Sequence, residues 1–240
     1  MPVRNEADVI TTVIEEWADV FAQLPDGSEL IFDDCSTDGT TELIEHAALQ
    51  HTFVRLERSS RDGFFASAMR LYRLAACPYI FFTDSDGQYV PADFWLVAEH
   101  MGENDMVHGA KTDRKDPMYR VGSSFGFNGL VRLLFRSRCQ DVNSAFRLIR
   151  REMLEDVLPD IHCLGLLPNA EMYIRAERLG YRIRNVSVRH RQRLFGKSRG
   201  VPPQTFVIEC WRAFVGLWRL RGDLSRGRYA ELPRSTGPAS

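Results

Sequence analysis

Two short apolar runs that each end in acids constrain this chain more than any other feature. Glu29-Leu30-Ile31-Phe32 runs directly into Asp33-Asp34, and Tyr79-Ile80-Phe81-Phe82 runs into Thr83-Asp84-Ser85-Asp86-Gly87-Gln88. Continuous apolar runs of this length suit strands buried on both faces, as in a parallel sheet. The pattern around them alternates. Val9, Ile10, Val13, Ile14, Trp17 and Phe21 fall at helical spacing over 7–22, helices are expected at 38–50 and 63–76, and Phe53-Val54-Arg55-Leu56 reads as a strand. Pro91 opens the next helix from a first-turn position, where its missing N–H costs nothing. Further on, a strand is expected at 106–110, a polar loop at 111–122, helices at 123–136, 147–158 and 168–179, and a strand from Arg182 to His190. This order predicts an α/β fold with a doubly wound, mostly parallel sheet flanked by helices. Ligands in such sheets collect outside the carboxyl ends of the strands. Both acidic turns lie there.

A length of 240 residues fits one large domain. The five cysteines (Cys35, Cys77, Cys139, Cys163, Cys210) are odd in number and never form a CxxC pair, so reduced structural thiols are expected rather than disulfides or a zinc site. No secretory leader and no apolar run long enough to span a membrane are expected. The net charge of −1 conceals an asymmetry: residues 1–60 carry thirteen Asp/Glu against three Lys/Arg, whereas 182–199 carry seven Lys/Arg and no acid. An acidic half for nucleotide and metal facing a phosphate-seeking basic half accounts for this, and a solvated basic face accounts for it equally.

Two carboxylates two positions apart at a strand end, Asp84 and Asp86, repel one another unless a cation sits between them. A hard divalent ion bound by carboxylates and substrate phosphates meets that need, and Gln88 can add a neutral oxygen. An acidic turn ending a strand is the plainer alternative. The paired Asp33-Asp34 is harder to explain as turn chemistry, although Thr37 and Asp38 can cap the helix that follows. A carboxylate after such a strand can accept from a ribose hydroxyl or a base N–H. His190 could approach the same site or simply be packed. Phe206, Trp211, Phe214 and Trp218 with Arg212, Arg219 and Arg221 form an amphipathic stretch, suited either to a membrane interface or to core packing.

Taken in order, Pro2-Val3-Arg4-Asn5-Glu6, Asp33 to Asp38 and Asp84-Ser85-Asp86-Gly87-Gln88 resemble the successive signatures of family 2 glycosyltransferases with the GT-A fold. Gly109-Ala110-Lys111 through Arg120, Asn128, Asp141 to Arg147 and His190 to Ser198 are similar to the dolichol-phosphate mannosyltransferase branch and related polyprenyl-phosphate transferases. The resemblance covers about residues 2–200. It implies a catalytic domain over 1–200; beyond it, the residues themselves read as an amphipathic helical segment over 201–221 and, rich in Gly, Ser, Arg and Pro, a flexible tail over 222–240.

The resemblance implies that Pro2, Asn5, Glu6, Asp33 and Asp34 bind the donor nucleotide, and that Asp84, Asp86 and Gln88 hold Mg2+ or Mn2+ on its diphosphate. Asp84 and Lys197 would touch the donor as well. Arg114, Arg120, Ser124 and Ser198 would meet the acceptor phosphate. Asp86, Asp141, Arg191 and Arg193 would form the reacting centre. The implied reaction moves a hexose, mannose or glucose, from a GDP- or UDP-sugar to a polyprenyl or dolichyl phosphate with inversion. The work is expected in the cytoplasm, at the membrane surface, with no nucleic-acid partner. Two other readings stand beside it: transfer to a polysaccharide or glycolipid hydroxyl, and a non-catalytic nucleotide-sugar-binding module. Nucleotidyltransferases of similar architecture open with a Gly-rich basic loop that is absent here.

The sequence departs from the family pattern in two places. An apolar strand ahead of Pro2 is expected to be missing or to lie upstream. Arg61-Asp62-Gly63 stands where relatives have Asn before the Gly, and Arg70 stands where a small residue is common.

Overall fold

The structure, a computed structural model, describes residues 1–112, 118–193 and 203–229. The helical periodicity at the start of the chain is buried as its spacing requires: α1 (Ile10–Phe21) turns Ile10, Val13, Ile14, Trp17 and Val20 inward. β2 (Leu30–Asp34) is buried at every position, its two acids included. α2 (Thr40–Gln50) has Gly39, at φ 89°, in its N-cap position with no side-chain cap; Asp38, expected as a cap, lies one residue earlier and closes a local turn by accepting the Thr40 amide through Oδ1 at 3.2 Å. β3 (Val54–Arg58), α3 (Phe64–Leu74) and β4 (Tyr79–Phe82) follow. A short 3-10 turn from Pro91 leads into α4 (Phe94–Ala98), then β5 (Met106–Thr112) and α5 (Met118–Phe135). The chain continues through β6 (Arg147–Arg150), α6 (Arg151–Val157), α7 (Pro168–Arg178), β7 (Ile183–Arg189) and α8 (Pro203–Asp223).

The strands form two sheets. β1 (Pro2–Val3), β2 and β3 pair in parallel, with Pro2 opposite Asp33 and Val3 opposite Asp34. Pro2–Val3 thus adds a two-residue strand to the sheet beside the two acids. The second sheet runs β4-β6-β5-β7; β6 is antiparallel to both of its neighbours, whereas β5 and β7 are parallel. At the junction the Ser85 hydroxyl donates to the Pro2 carbonyl at 2.8 Å. That bond brings the acid-bearing ends of β2 and β4 together.

Two expectations need correction. Residues 147–158 do not form one helix, because Arg147–Arg150 is a strand between β4 and β5 and only Arg151–Val157 is helical. The reversal is possible because the terminal nitrogens of the fully buried Arg147 guanidinium donate to backbone carbonyls, those of Asn169 at 2.7 Å, Val142 at 3.3 Å and Ser144. Nor is 222–229 a frayed tail. Tyr229 is buried, Arg178 donates to its carbonyl at 2.7 Å, and Arg228 pairs with Asp156 and Asp160 at 2.5 and 2.6 Å. Residues 230–240 lie outside the described residues. α8 is amphipathic in fact, with Leu217 and Leu220 in the core while Trp211 and Trp218 are 65% and 52% exposed. All five cysteines are free thiols. No helix among the described residues is long and apolar enough to cross a membrane.

Candidate active site

The carboxyl ends of β1, β4 and β5, the loop before α3 and the segment after β7 enclose a cavity of 560 Å3. Asp84, Asp86 and Gln88 stand on its wall. The turn that presents them depends on Gly87, whose φ of 71° lies in the left-handed region that glycine tolerates best. Asp86 Oδ1 accepts the Gln88 amide at 3.1 Å and fixes that turn. Burial, then the neighbouring Asp86, raise the Asp84 pKa to about 6, while Lys111 and Arg147 pull it back. Two carboxylates under mutual repulsion, one of them poorly hydrated, form a donor set that a hard divalent cation suits. Gln88 Nε2 donates to the Arg191 carbonyl at 3.3 Å, which leaves the Gln88 amide oxygen as a further hard donor.

The basic segment after β7 is clipped over these acids. Tyr89 and His190 form an antiparallel bridge, and the Arg191 amide donates to the Gln88 carbonyl at 2.8 Å. Arg191 Nε donates to the Gly87 carbonyl at 2.6 Å, and its Nη2 pairs with Glu16. Arg193 pairs through Nη2 with Glu6, and its Nη1 stands 3.8 Å from Asp86 Oδ2. Lys111, at the end of β5, adds a positive charge to the same wall, with its Nζ 5.6 Å from the Tyr89 ring centroid. Opposed charges thus line one space that suits a bound diphosphate.

Asp141 also lines the cavity and is itself buried. Its loop is rigidly held: its carbonyl accepts from His108 Nε2 at 2.7 Å, and the Val142 amide donates to Asn128 Oδ1 at 3.1 Å. Beyond Ser124 and Asn143, which line both spaces, a second groove of 1020 Å3 opens. Phe127 and Leu130 of α5, Leu164, Leu167, and Phe206 and Phe214 of α8 make it largely apolar.

The family described as Glycosyl transferase family 2 matches residues 1–158. The chain belongs to that family. Glycosyltransferase AglD of Haloferax volcanii is 26% identical over 195 residues, which are 76% of this chain but only 31% of AglD. An undecaprenyl-phosphate mannosyltransferase of Micrococcus luteus is 23% identical over 83% of this chain and 85% of its own length. Among solved structures, glucosyl-3-phosphoglycerate synthase from Mycobacterium tuberculosis in complex with Mn2+, uridine diphosphate and phosphoglyceric acid superimposes with a TM-score of 0.71. At 20% identity, covering 92% of this chain and 76% of the other, that likeness shows the GT-A fold.

Within this glycosyltransferase the expected residues separate into two groups. Pro2, Glu6, Asp84, Asp86, Gln88, Ser124, Asp141 and Arg193 share the cavity wall; Asn5, Asp33, Asp34 and Arg191 do not. Asn5, at φ 56°, braces the turn after β1, where its Oδ1 accepts the Thr37 amide at 2.7 Å. Asp34 Oδ1 accepts from the Ser36 amide at 3.1 Å and its Oδ2 from the Thr41 hydroxyl at 2.5 Å. Arg191 organises the basic segment through the Gly87 carbonyl and Glu16. Arg114, Lys197, Ser198 and the Arg120 side chain lie outside the described residues. His190 is both packed and at the site, buried edge-on against Tyr89 with ring centroids 5.2 Å apart. Lys111, Asn143 and Asp62 line the cavity without having been expected there. For Lys111 the signal was available, since it is a charge at the end of the apolar strand that precedes it, as the acids are.

Proposed function

We propose that this glycosyltransferase moves a hexose, mannose or glucose, from a GDP- or UDP-sugar to a polyprenyl phosphate, with inversion, at the cytoplasmic face of a membrane. The observation that carries the reading is the gathering of Asp84, Asp86 and Gln88 with Arg193 and Lys111 around one cavity that shares Ser124 and Asn143 with a largely apolar groove. One end is suited to a metal-bound diphosphate and the other to a chain that avoids water. The Micrococcus relative, which acts on undecaprenyl phosphate by its name, supports the choice of acceptor.

Asp84, Asp86 and the Gln88 oxygen would hold Mg2+ or Mn2+. When bound, the ion supplies charge that neutralises the departing diphosphate. Arg193 and Lys111, in the same cavity lining, donate to phosphate oxygens, and arginine's planar fork suits that contact. A phosphate oxygen of the acceptor forms the new bond to the anomeric carbon as the bond to the diphosphate breaks. The acceptor phosphate, with a second pKa near 6, is largely dianionic at neutral pH and needs no base. Asp141 then orients the acceptor rather than taking its proton.

The buried Asp141 on the cavity wall also favours a second reading, in which it is the general base for a hydroxyl acceptor. A panel of GDP- and UDP-hexoses with Mg2+ or Mn2+, incubated with short polyprenyl phosphates and with sugar hydroxyl acceptors and read by mass spectrometry, separates them. Transfer only to hydroxyls would replace the first reading by the second. No transfer from any donor would leave a nucleotide-sugar-binding module.

A further inference from the structure

Three carboxylates crowd the end of the cavity formed by β2, β3 and the loop before α3, and one of them reaches it. Asp33 and Asp34 are 2% and 3% exposed. Asp34 is satisfied by Ser36 and Thr41, and Asp33 by Ser59 and by Arg70. Asp62 stands on the cavity wall with its side chain 35% exposed. What holds it there is the guanidinium that occupies Asp33. Arg70 Nε donates to Asp33 Oδ1 at 2.7 Å and Nη2 to Asp33 Oδ2 at 3.1 Å. The outer edge of the same fork reaches Asp62, with Nη1 3.0 Å from Oδ2 and Nη2 3.2 Å from Oδ1. Asp33 is thus withdrawn from the cavity and Asp62 is fixed in its stead. Gly63, at φ 94°, lets the loop turn into α3 immediately afterwards.

We propose that Asp62, pinned to Asp33 through Arg70, is the carboxylate that reads the donor's nucleobase, and that the base is one with a ring N–H on its pairing edge. Uracil and guanine carry that donor; cytosine and adenine carry a ring nitrogen acceptor in its place. The assignment rests on the nucleotide-sugar reading above. An ionised carboxylate only accepts, so it discriminates by favouring an N–H and repelling a lone pair. The hydrogen bonds from Arg70 hold the Asp62 carboxyl below its ordinary range and keep it ionised. Arg70 uses one side of each Asp62 oxygen, and Ser60 Oγ lies 3.4 Å from Oδ2. The Asp62 side chain stands on the cavity wall and is 35% exposed, so the carboxylate keeps acceptor capacity for a ligand. A carboxylate on a loop costs entropy to immobilise on binding, and the grip of Arg70 removes that cost beforehand. Arg70 is accordingly a positioning residue. This pairing is local to Arg61-Asp62-Gly63 and Arg70, the positions at which the sequence departs from the family pattern.

Calorimetric titration of the full chain with UDP, GDP, CDP and ADP in the presence of Mn2+ tests the assignment. The wild type is expected to bind UDP or GDP at least about tenfold more tightly than CDP and ADP, as one hydrogen bond to a charged group allows. Asp62→Ala is expected to weaken the preferred nucleotide by about tenfold and to erase the ranking of bases, while inorganic pyrophosphate with Mn2+ binds as before. Arg70→Lys keeps a charge beside Asp33 but loses the fork; it is expected to raise the donor KM several-fold with kcat within about twofold. An Asp62→Ala protein with wild-type affinity and wild-type ranking overturns the assignment and leaves the donor reading intact. A wild-type chain that binds none of the four nucleotides overturns the donor reading, and this assignment with it.

Discussion

Arg193 holds its guanidinium 3.8 Å from the Asp86 carboxylate while its other terminal nitrogen is paired with Glu6. It is a positive charge stationed where a metal ion and a diphosphate would meet. Toward a bare cation arriving at Asp86, Arg193 is a competitor; toward a diphosphate it is a ligand. Arg193→Met is therefore expected to move two affinities in opposite directions. Mn2+ alone should bind a few-fold more tightly, and the nucleoside diphosphate with Mn2+ about tenfold more weakly. Manganese EPR titration and calorimetry measure the two separately. A loss in both would place Arg193 in a purely structural role.

Asp141 distinguishes the two acceptor chemistries. If the acceptor is a lipid phosphate, Asp141→Asn keeps the size of the side chain and removes only a base that the reaction does not use. Initial rates should fall less than about tenfold. With a hydroxyl acceptor the same substitution should cost about a hundredfold or more, the usual contribution of a general base. A large loss with polyprenyl phosphate would count against the orienting role.

The pattern of the chain disclosed the Asp84-Asp86 end of the site more fully than the Asp33-Asp34 end, and the reason is physical. Tyr79–Phe82 is an apolar run whose closing acids lie on a cavity wall, so local sequence and tertiary position agree. Asp33 and Asp34 close a run just as apolar, yet their partners Arg70, Ser59 and Thr41 come from other elements, up to 37 residues away. No local pattern separates a carboxylate that faces a ligand from one buried against a distant arginine. β6 was illegible for a related reason. A four-residue strand that begins and ends with arginine has no apolar periodicity of its own, and the buried Arg147 is held by the carbonyl of Asn169, 22 residues away, together with those of Val142 and Ser144 in the loop before it. The docking of Tyr229 likewise depends on Arg178, which lies 51 residues earlier.

Glu171 and Arg175 are completely buried on α7, with Arg175 Nη2 2.8 Å from Glu171 Oε1. The Glu171 carboxylate also accepts the amides of His162, Cys163 and Leu164 at 3.1, 2.7 and 2.7 Å, so it shapes the loop that walls the apolar groove. Glu171→Ala leaves a buried guanidinium with only Asp223 to pair and strands three amides. Stability by urea unfolding should drop about 3 kcal/mol or more. Replacing both partners by methionine should cost less than the single change, because no underpaired guanidinium remains in the core and the Asp223 carboxylate that is released is partly exposed to water. A single substitution milder than the double would contradict this account.

His108 gives the fold an acid limit. It is fully buried behind the Asp141 loop, with its Nε2 bonded to the Asp141 carbonyl and its ring edge-on to Tyr173 at 5.1 Å. Burial first, and then the Arg147 charge, lower its pKa to about 3; Asp141 opposes them and Lys111 adds to them. In the unfolded chain a histidine titrates near 6.5. The folded value is the lower one, so the neutral ring favours the folded state above pH 6.5, and that contribution is lost as the pH falls toward 3. The loss should approach about 1.4 kcal/mol per pH unit once the unfolded histidine is fully protonated. His108→Gln can still donate to the Asp141 carbonyl but takes up no proton. Its unfolding free energy, measured in urea from pH 6.5 to 4.5, should start below that of the wild type and fall less steeply, so that the two curves converge. Parallel curves would mean that the ring is already accessible to protons in the folded protein, and that the loop carrying Asp141 is looser than its hydrogen bonds indicate.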